Sequence, residues 1–306
     1  ETSGGEPYSK ALRIGGFATA LTGPAAVTLI AAFLVCVASQ MDFGVDARSL
    51  KKGVTITLTK LGVAIACGSL LAATSDPFDG WLGLSTVAVV AAMPNGNGGL
   101  YLALTGQYGD RSDVGAVSVV SLNDGPFFTL MALGLMGEKF PAAAFLGVLL
   151  PMAVGFLLGR FSPEARRFLK PGERLCIPFF AFALGTTMNF GVFLDGAVLA
   201  GGLVLAVATV LLTGSAAALA LRLVGERTVI AGWAEASTAG NAVQTPLAVA
   251  VAAGAAAAAP DYQAIVPTAT AQISISTIAT AILCPLLVTL WARRTAVPAA
   301  AVPFVD

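Results

Sequence analysis

Nine stretches of mostly apolar residues divide this chain, approximately 20–41, 54–74, 81–106, 113–136, 141–159, 175–190, 196–221, 228–253 and 263–292. A helix needs about 20 such residues to cross the hydrocarbon of a bilayer. Only 11% of the 306 residues are charged, and the mean hydropathy is +0.84. A soluble domain carries about 25% charged residues. The 34 glycines and 16 prolines fall largely inside the apolar stretches, where membrane helices tolerate them better than soluble ones do. The pattern predicts an all-α polytopic membrane protein with nine spans in this chain. The stretch 175–190 is short, and Leu194 to Ala197 would extend it.

The polar residues exclude several functions. Seventeen basic and 17 acidic residues cancel, which leaves no basic field for nucleic acid. Without any histidine, most zinc sites, Ser-His-Asp triads and histidine proton relays are removed. Cys36, Cys67, Cys176 and Cys284 stand apart in apolar sequence and read as small core residues. There is no phosphate-binding glycine loop ending in Lys-Ser or Lys-Thr, so ATP is not the energy source within this chain. No cofactor or metal is expected. An integral membrane enzyme would need a nucleophile–base or metal constellation, and a channel would need a ring of like charges or a filter repeat. Neither pattern is visible.

Basic residues orient the spans. Alternate loops place 13 lysines and arginines on one side, three on the other (Lys10, Arg13 and Lys139), and Lys60 inside a span. The crowded side includes Arg48, Lys51, Lys52, Arg160, Arg166, Arg167, Lys170, Arg174, Arg222, Arg293 and Arg294. The loop 160–174 and the carboxyl terminus are therefore expected in the cytoplasm, with residue 1 outside. Residues 1–294 read as one transmembrane domain, and 295–306 as a flexible tail.

A weak internal repeat is present. Ser39-Gln40-Met41-Asp42-Phe43-Gly44-Val45 resembles Thr186-Thr187-Met188-Asn189-Phe190-Gly191-Val192, displaced by 147, with Pro24 and Pro178 upstream. Gly96-Asn97 is echoed by Gly240-Asn241, displaced by 144. The stretch 141–159 opens the second half, and its counterpart would fall before residue 1. One further helix is thus expected ahead of this chain, giving two halves of five. Halves with an odd helix count must be inverted relative to each other, as in many secondary transporters.

Two stretches are interrupted at matching places. One carries Pro94-Asn95-Gly96-Asn97-Gly98-Gly99; the other carries Ser237-Thr238-Ala239-Gly240-Asn241-Ala242-Val243-Gln244-Thr245-Pro246. Proline removes a backbone donor and clashes with the preceding turn, and glycine and asparagine are poor helix formers. Non-helical backbone at membrane depth survives only beside protein or a wet cavity. A single kink would suit close packing; paired breaks point to a transporter's substrate site, where the positive end of a half-helix can face an anion.

These stretches also carry a family resemblance. Ala91-Ala92-Met93, Asn97-Gly98-Gly99-Leu100-Tyr101, Gln107-Tyr108-Gly109, Ser121-Leu122-Asn123-Asp124-Gly125-Pro126, Ile177-Pro178-Phe179-Phe180-Ala181-Phe182-Ala183-Leu184-Gly185 and Ser237-Thr238-Ala239-Gly240-Asn241-Ala242-Val243 resemble the 2-keto-3-deoxygluconate permease family. The resemblance runs from about Phe17 to Arg294. It implies a bacterial inner-membrane carrier that imports this sugar acid by proton symport. It further implies a distant likeness to the bile-acid sodium symporters, with a panel, a core and two crossed broken helices. Panel-like helices would be about 20–42, 141–160 and 175–194; core-like ones, about 54–136 and 196–292. The chain departs from the family in lacking its first helix and in carrying Glu235 and Gln244 where small residues are expected.

Charges inside the spans are candidates for ion coupling. Asp124 lies near the middle of 113–136, and a mid-bilayer carboxylate costs roughly 2.5–3.5 kcal/mol on insertion scales. Its alternative is a structural cap. Glu235 and Lys60 lie about seven residues from a cytoplasmic helix end, ~10 Å deep at 1.5 Å per residue. Lys60 either snorkels to the interface or pairs with Glu235 or Asp124, standing where a sodium ion would stand. Glu235 either couples or lines a wet vestibule. If a proton drives uptake, Asp124 is the first choice of carrier and Glu235 the second.

Asn95, Asn97, Gly98, Asn123, Thr238, Asn241, Gln244 and Gln272 are the candidate substrate contacts. Amides both donate and accept hydrogen bonds, which suits a ligand with a carboxylate, a keto group and hydroxyls. The expected partners are a small anionic sugar acid, a proton and the lipid bilayer. A sodium-coupled carrier of another organic anion is the alternative.

Overall fold

Hydrocarbon offers no water to backbone polar groups, so long apolar stretches satisfy them within helices. The computed structural model describes residues 15–23, 25–41, 44, 46–123, 125–138, 140–186, 190–254 and 262–295. Among these there is no strand. The helices are α1 (Gly16–Ala20), α2 (Ala25–Gln40), α3 (Ala47–Thr74), α4 (Thr86–Ala92), α5 (Gly98–Tyr108), α6 (Arg111–Gly115), α7 (Val117–Val120) and α8 (Phe127–Leu135). They continue with α9 (Ala142–Phe161), α10 (Pro163–Gly185), α11 (Gly196–Ala208), α12 (Gly214–Leu223), α13 (Ile230–Ala234), α14 (Thr245–Gly254) and α15 (Val266–Arg294). A π-helical turn, Thr209–Thr213, joins α11 to α12 without ending the helix.

The helices α3, α9, α11–α12 and α15 are each long and apolar enough to span a membrane. The run Arg111–Asn123 and α8 qualify together as one span bent by 67°. The rest of the predicted stretches hold α2, α10, and two pairs of short helices, α4 with α5 and α13 with α14. Two starts differ from the sequence expectation, and both are set by caps. Asp46 accepts hydrogen bonds from the Arg48 and Ser49 backbone, so α3 begins at Ala47 rather than near 54. Ser162 caps α10 with Pro163 in its first turn, so that helix begins well before 175.

Helix α2 packs on both α9 and α10. A Cβ at Gly155 or Gly159 would overlap the Val35 and Ser39 carbonyl groups, so this pair of glycines lets the two backbones touch. Phe33 meets Phe180 edge to face at 5.6 Å. Arg166 donates to the Gln40 carbonyl at 2.9 Å, and the Gln40 amide returns a bond to the Arg166 carbonyl at 2.9 Å. Helix α3 packs on α4, α7 and α12, and α11 packs on α15. Ile56, Tyr101, Leu221, Ile230 and Val288 form one buried cluster there, and Ala88, Met93, Leu205 and Ile273 form another.

Ion pairs tie three segments together at the basic end. Lys52, fully buried, bonds to Asp113 and, at 3.1 Å, to Asp110. Glu226 takes Lys51 at 2.5 Å and Arg48 at 2.9 Å. Burial opposes the charged form of Asp110, yet hydrogen bonds from Ser112, the Asp113 backbone and Lys52 prevail and bring its pKa down to about 2. Burial opposes the charged Glu226 too, and Lys51 and Arg48 hold it below the usual carboxylate range.

Candidate functional site

Non-α-helical backbone separates α4 from α5 and α13 from α14, and the two connecting segments meet. Helix α4 ends at Ala92, and α5 starts at Gly98, where Asn97 caps it by accepting from the Leu100 N–H at 3.0 Å. Helix α13 ends at Ala234, and a 3-10 turn, Gly240–Gln244, leads into α14. The Ala239 N–H donates to the Asn95 carbonyl at 2.9 Å, and the Asn95 amide donates to Asn241 Oδ1 at 2.9 Å. The Asn97 N–H donates to Ser237 Oγ at 3.0 Å. Asn123 donates to the Pro94 carbonyl at 2.8 Å. Each buried group left unpaired would cost about 1–3 kcal/mol, so these side chains supply what the broken helices lose.

A cavity of about 910 Å³ lies on one face of this meeting point. Asn97, Gly98, Gly99, Gly240 and Asn241 form one wall. The opposite wall comes from α2 and α10, with Gln40, Lys170 and Arg174 toward the basic end. Among the described residues no carboxylate lines it. A Cβ on Gly240 would meet nothing within 4 Å, and one on Gly98 or Gly99 would make only ordinary contacts at 3.5 and 3.4 Å. Packing does not demand glycine at these places; their backbone faces open space. The volume suits a small organic ligand.

The other face is closed and charged. The Lys60 ammonium donates to the Glu235 carbonyl at 2.5 Å and lies 3.5 Å from Glu235 Oε1. Both side chains are buried, at 0% and 1% exposure, which rules out snorkelling. A Cβ on Gly96 would collide with the Glu235 carboxylate, so only glycine lets that carboxylate reach the first break. Glu235 Oε2, Asn95 Oδ1, Asn123 Oδ1 and both Gln244 amide atoms are buried without a hydrogen-bond partner. Thr238 donates its N–H to Thr280 Oγ1 at 3.0 Å and pairs with Ser276 through its hydroxyl at 3.0 Å.

A family model for 2-keto-3-deoxygluconate permeases matches residues 7–297. The chain belongs to that family. A protein of Salmonella typhimurium named 2-keto-3-deoxygluconate permease 1 is 47% identical over 288 residues, covering 94% of this chain and 88% of its own length. A 2-keto-3-deoxygluconate permease of Xanthomonas euvesicatoria is 36% identical over 286 residues, covering 92% of this chain and 87% of that protein. One from Escherichia coli is 36% identical over 274 residues, covering 88% and 81%. A permease is a multi-pass membrane transporter rather than an enzyme.

Within this family member the site residues divide in three. Asn97, Gly98 and Asn241 line the cavity. Asn95, Asn123, Thr238, Gln244, Glu235 and Lys60 lie at or behind the meeting of the breaks and do not line it. Gln272 stands apart from both groups: it donates to the Gly83 carbonyl at 2.9 Å and holds a turn. Asp124 lies outside the described residues, as do Pro24, Asp42, Phe43 and Val45 of the first repeat motif, Thr187, Met188 and Asn189 of the second, and the tail beyond Thr295. Phe127 packs against Phe128 at 5.5 Å, and Phe180 packs against Phe33. Sequence reasoning missed Lys170 and Arg174 as cavity residues. Their spacing of four on a helix facing Ile177 was the available signal.

Proposed function

We propose that this chain is a secondary active transporter that imports 2-keto-3-deoxygluconate by proton symport and alternating access. The observation that carries the reading is the pair of mutually hydrogen-bonded helix breaks that open, on one face, onto a cavity with no carboxylate among its described lining residues. The names of the relatives supply the substrate. The α5 amino terminus at Gly98 and Gly99 holds the carboxylate, because its free N–H groups and dipole favour an anion. Asn97 and Asn241 hold the keto and hydroxyl groups. Helices α2, α9 and α10 act as the panel, and the two inverted halves contribute one broken helix each to the core. The protein sits in the bacterial inner membrane with its basic end and carboxyl terminus in the cytoplasm, so the cavity described above opens inward.

Coupling belongs to a carboxylate within the spans, and Glu235 puts one candidate on the closed face. Asp124 or Glu235 takes a proton on the outer side, moves with the substrate anion as a neutral group, and releases the proton inside, where the Lys60 ammonium stabilises the carboxylate again. One proton with one monoanion gives a cycle without net charge movement. A second reading, sodium coupling, is favoured by the unpaired buried oxygens of Glu235, Asn95 and Asn123, since such oxygens suit an alkali cation. Against it stands the Lys60 ammonium, which already brings a positive charge to Glu235. The test is uptake of labelled 2-keto-3-deoxygluconate into proteoliposomes under separately imposed gradients. Accumulation driven by a proton gradient alone is expected. Accumulation driven only by sodium would replace the coupling ion, and no saturable uptake under either gradient would remove the substrate assignment.

A further inference from the structure

We propose that Lys170 and Arg174 of α10 form a cationic station for the substrate carboxylate at the inner mouth of the cavity, a specificity element separate from the helix breaks. The inference rests on the transport reading above. The two residues lie four apart on one helix, so they share a face, and Pro171 and Ile177 on that face line the same cavity. Neighbouring cations on this helix are otherwise engaged. Arg166 is bound to Gln40 of α2, and Arg167 pairs with Glu164 at 3.4 Å on the outer surface. Neither Lys170 nor Arg174 forms an ion pair among the described residues, and no described carboxylate lines the cavity beside them.

Two exposed cations at the mouth of a cleft, without an ion pair among the described residues, add a positive field to its entrance. Across the cavity lies the amino terminus of α5, an 11-residue helix, whose partial charge has the same sign. An anion between the walls is attracted from both. Arginine offers a planar fork that matches a carboxylate, and lysine offers a mobile point charge. A merely topological role, retention of this loop in the cytoplasm, needs the charges but not their direction into the cavity. The station is carried by α10 and the helix terminus by α5. These sit on opposite walls, so the full set of charges converges only when the walls stand as they do here. The station therefore acts on the inward-facing form, setting affinity on the cytoplasmic side more than on the outside.

The experiment compares wild type with Lys170→Gln/Arg174→Gln in vesicles of defined orientation, after insertion and orientation have been verified by protease accessibility. Half-saturating concentrations of 2-keto-3-deoxygluconate are measured from each side, with an uncharged amide of the same sugar acid as competitor. The expected result is about a 10-fold or greater rise in the cytoplasmic value, as for loss of a charge-assisted bond. The external value should change by less than about 2-fold, within the usual effect of a surface substitution. Competition by the neutral amide should be unaltered, and charge-preserving Lys170→Arg/Arg174→Lys should restore the acid. A cytoplasmic value within twofold of wild type, or an equal loss for acid and amide, would overturn the station while leaving transport of the sugar acid intact. A wild type that moves no sugar acid from either side would overturn both.

Discussion

Lys52 and Lys60 are eight residues apart on α3, about 12 Å along the helix, and both are wholly buried. Their partners differ. Lys52 faces Asp113, Asp110 and Glu226. Both oxygens of Asp113 are satisfied: Lys52 bonds one, and the Asp110 N–H and Thr228 hydroxyl bond the other at 2.9 and 3.0 Å. Lys60 faces Glu235, whose Oε2 is buried with no hydrogen bond. A carboxylate with an unsatisfied oxygen beside an ammonium and a glycine-lined break has room for a second protonation state. The difference separates a fastener from a candidate switch on the same helix.

The largest expected effect tests the fastener. Lys52→Met leaves three acids without their shared cation, and removal of one member of a buried pair costs about 3–5 kcal/mol. A large drop in the melting temperature of the detergent-solubilised protein is expected. By contrast, Lys60→Met/Glu235→Gln removes both charges at once. Such replacements are often close to neutral, so this double variant should melt within about 1 kcal/mol of wild type. Equal destabilisation of the two variants would erase the distinction between the lysines.

Binding on the open face comes next. Asn97→Ala and Asn241→Ala should each weaken substrate binding by about 1–3 kcal/mol, the cost of leaving a buried polar partner unpaired, measured by calorimetry or counterflow. Unchanged affinity in both would reassign them to holding the breaks together. Gly240→Ala sharpens the contrast between faces. Its new methyl group meets open space, so folding should hold within about 0.5 kcal/mol, as for substitutions away from packed features. Substrate affinity should nevertheless fall, because the methyl group enters the cavity. A variant with normal affinity would mean that ligand does not approach Gly240.

The smallest effect is a pH dependence of the fastener. Asp110 is depressed from 3.8 to about 2 in the folded protein. A lowered folded pKa gives stability that is complete above the unfolded value and is lost as pH falls through the folded one. The melting temperature should therefore decline between about pH 4 and pH 2. Asp110→Asn should flatten that decline.

Much of this architecture was legible because the signals were local. The apolar stretches marked the helices, and Pro94, Asn97 and Gly240 marked the breaks where they occur. The partners were less legible, because burial and pairing are set at a distance. Lys52 finds its acids 58 and 61 residues away, and in sequence it looked like one more cytoplasmic charge. Lys170 and Arg174 were hidden for the same reason: a basic loop looks alike whether it faces a cavity or water. Gln272 has a partner that its sequence position did not suggest. An amide inside an apolar stretch suggests a site, yet here it satisfies the Gly83 carbonyl in a turn that only the fold brings close. The early start of α3 followed from the Asp46 cap, a local signal masked by the charges that follow it.

The central claim is that a carboxylate within the spans, apart from the substrate contacts, carries the coupling proton. It is tested most directly by comparing substrate counterflow with proton-gradient-driven uptake in the same proteoliposomes, for Glu235→Gln and Asp124→Asn. An amide imitates the neutral acid, so the variant at the coupling carboxylate should still exchange substrate across the membrane while failing to concentrate it. The account predicts this split for at least one of the two. Full gradient-driven accumulation by both variants would contradict it, as would loss of exchange and accumulation together in both.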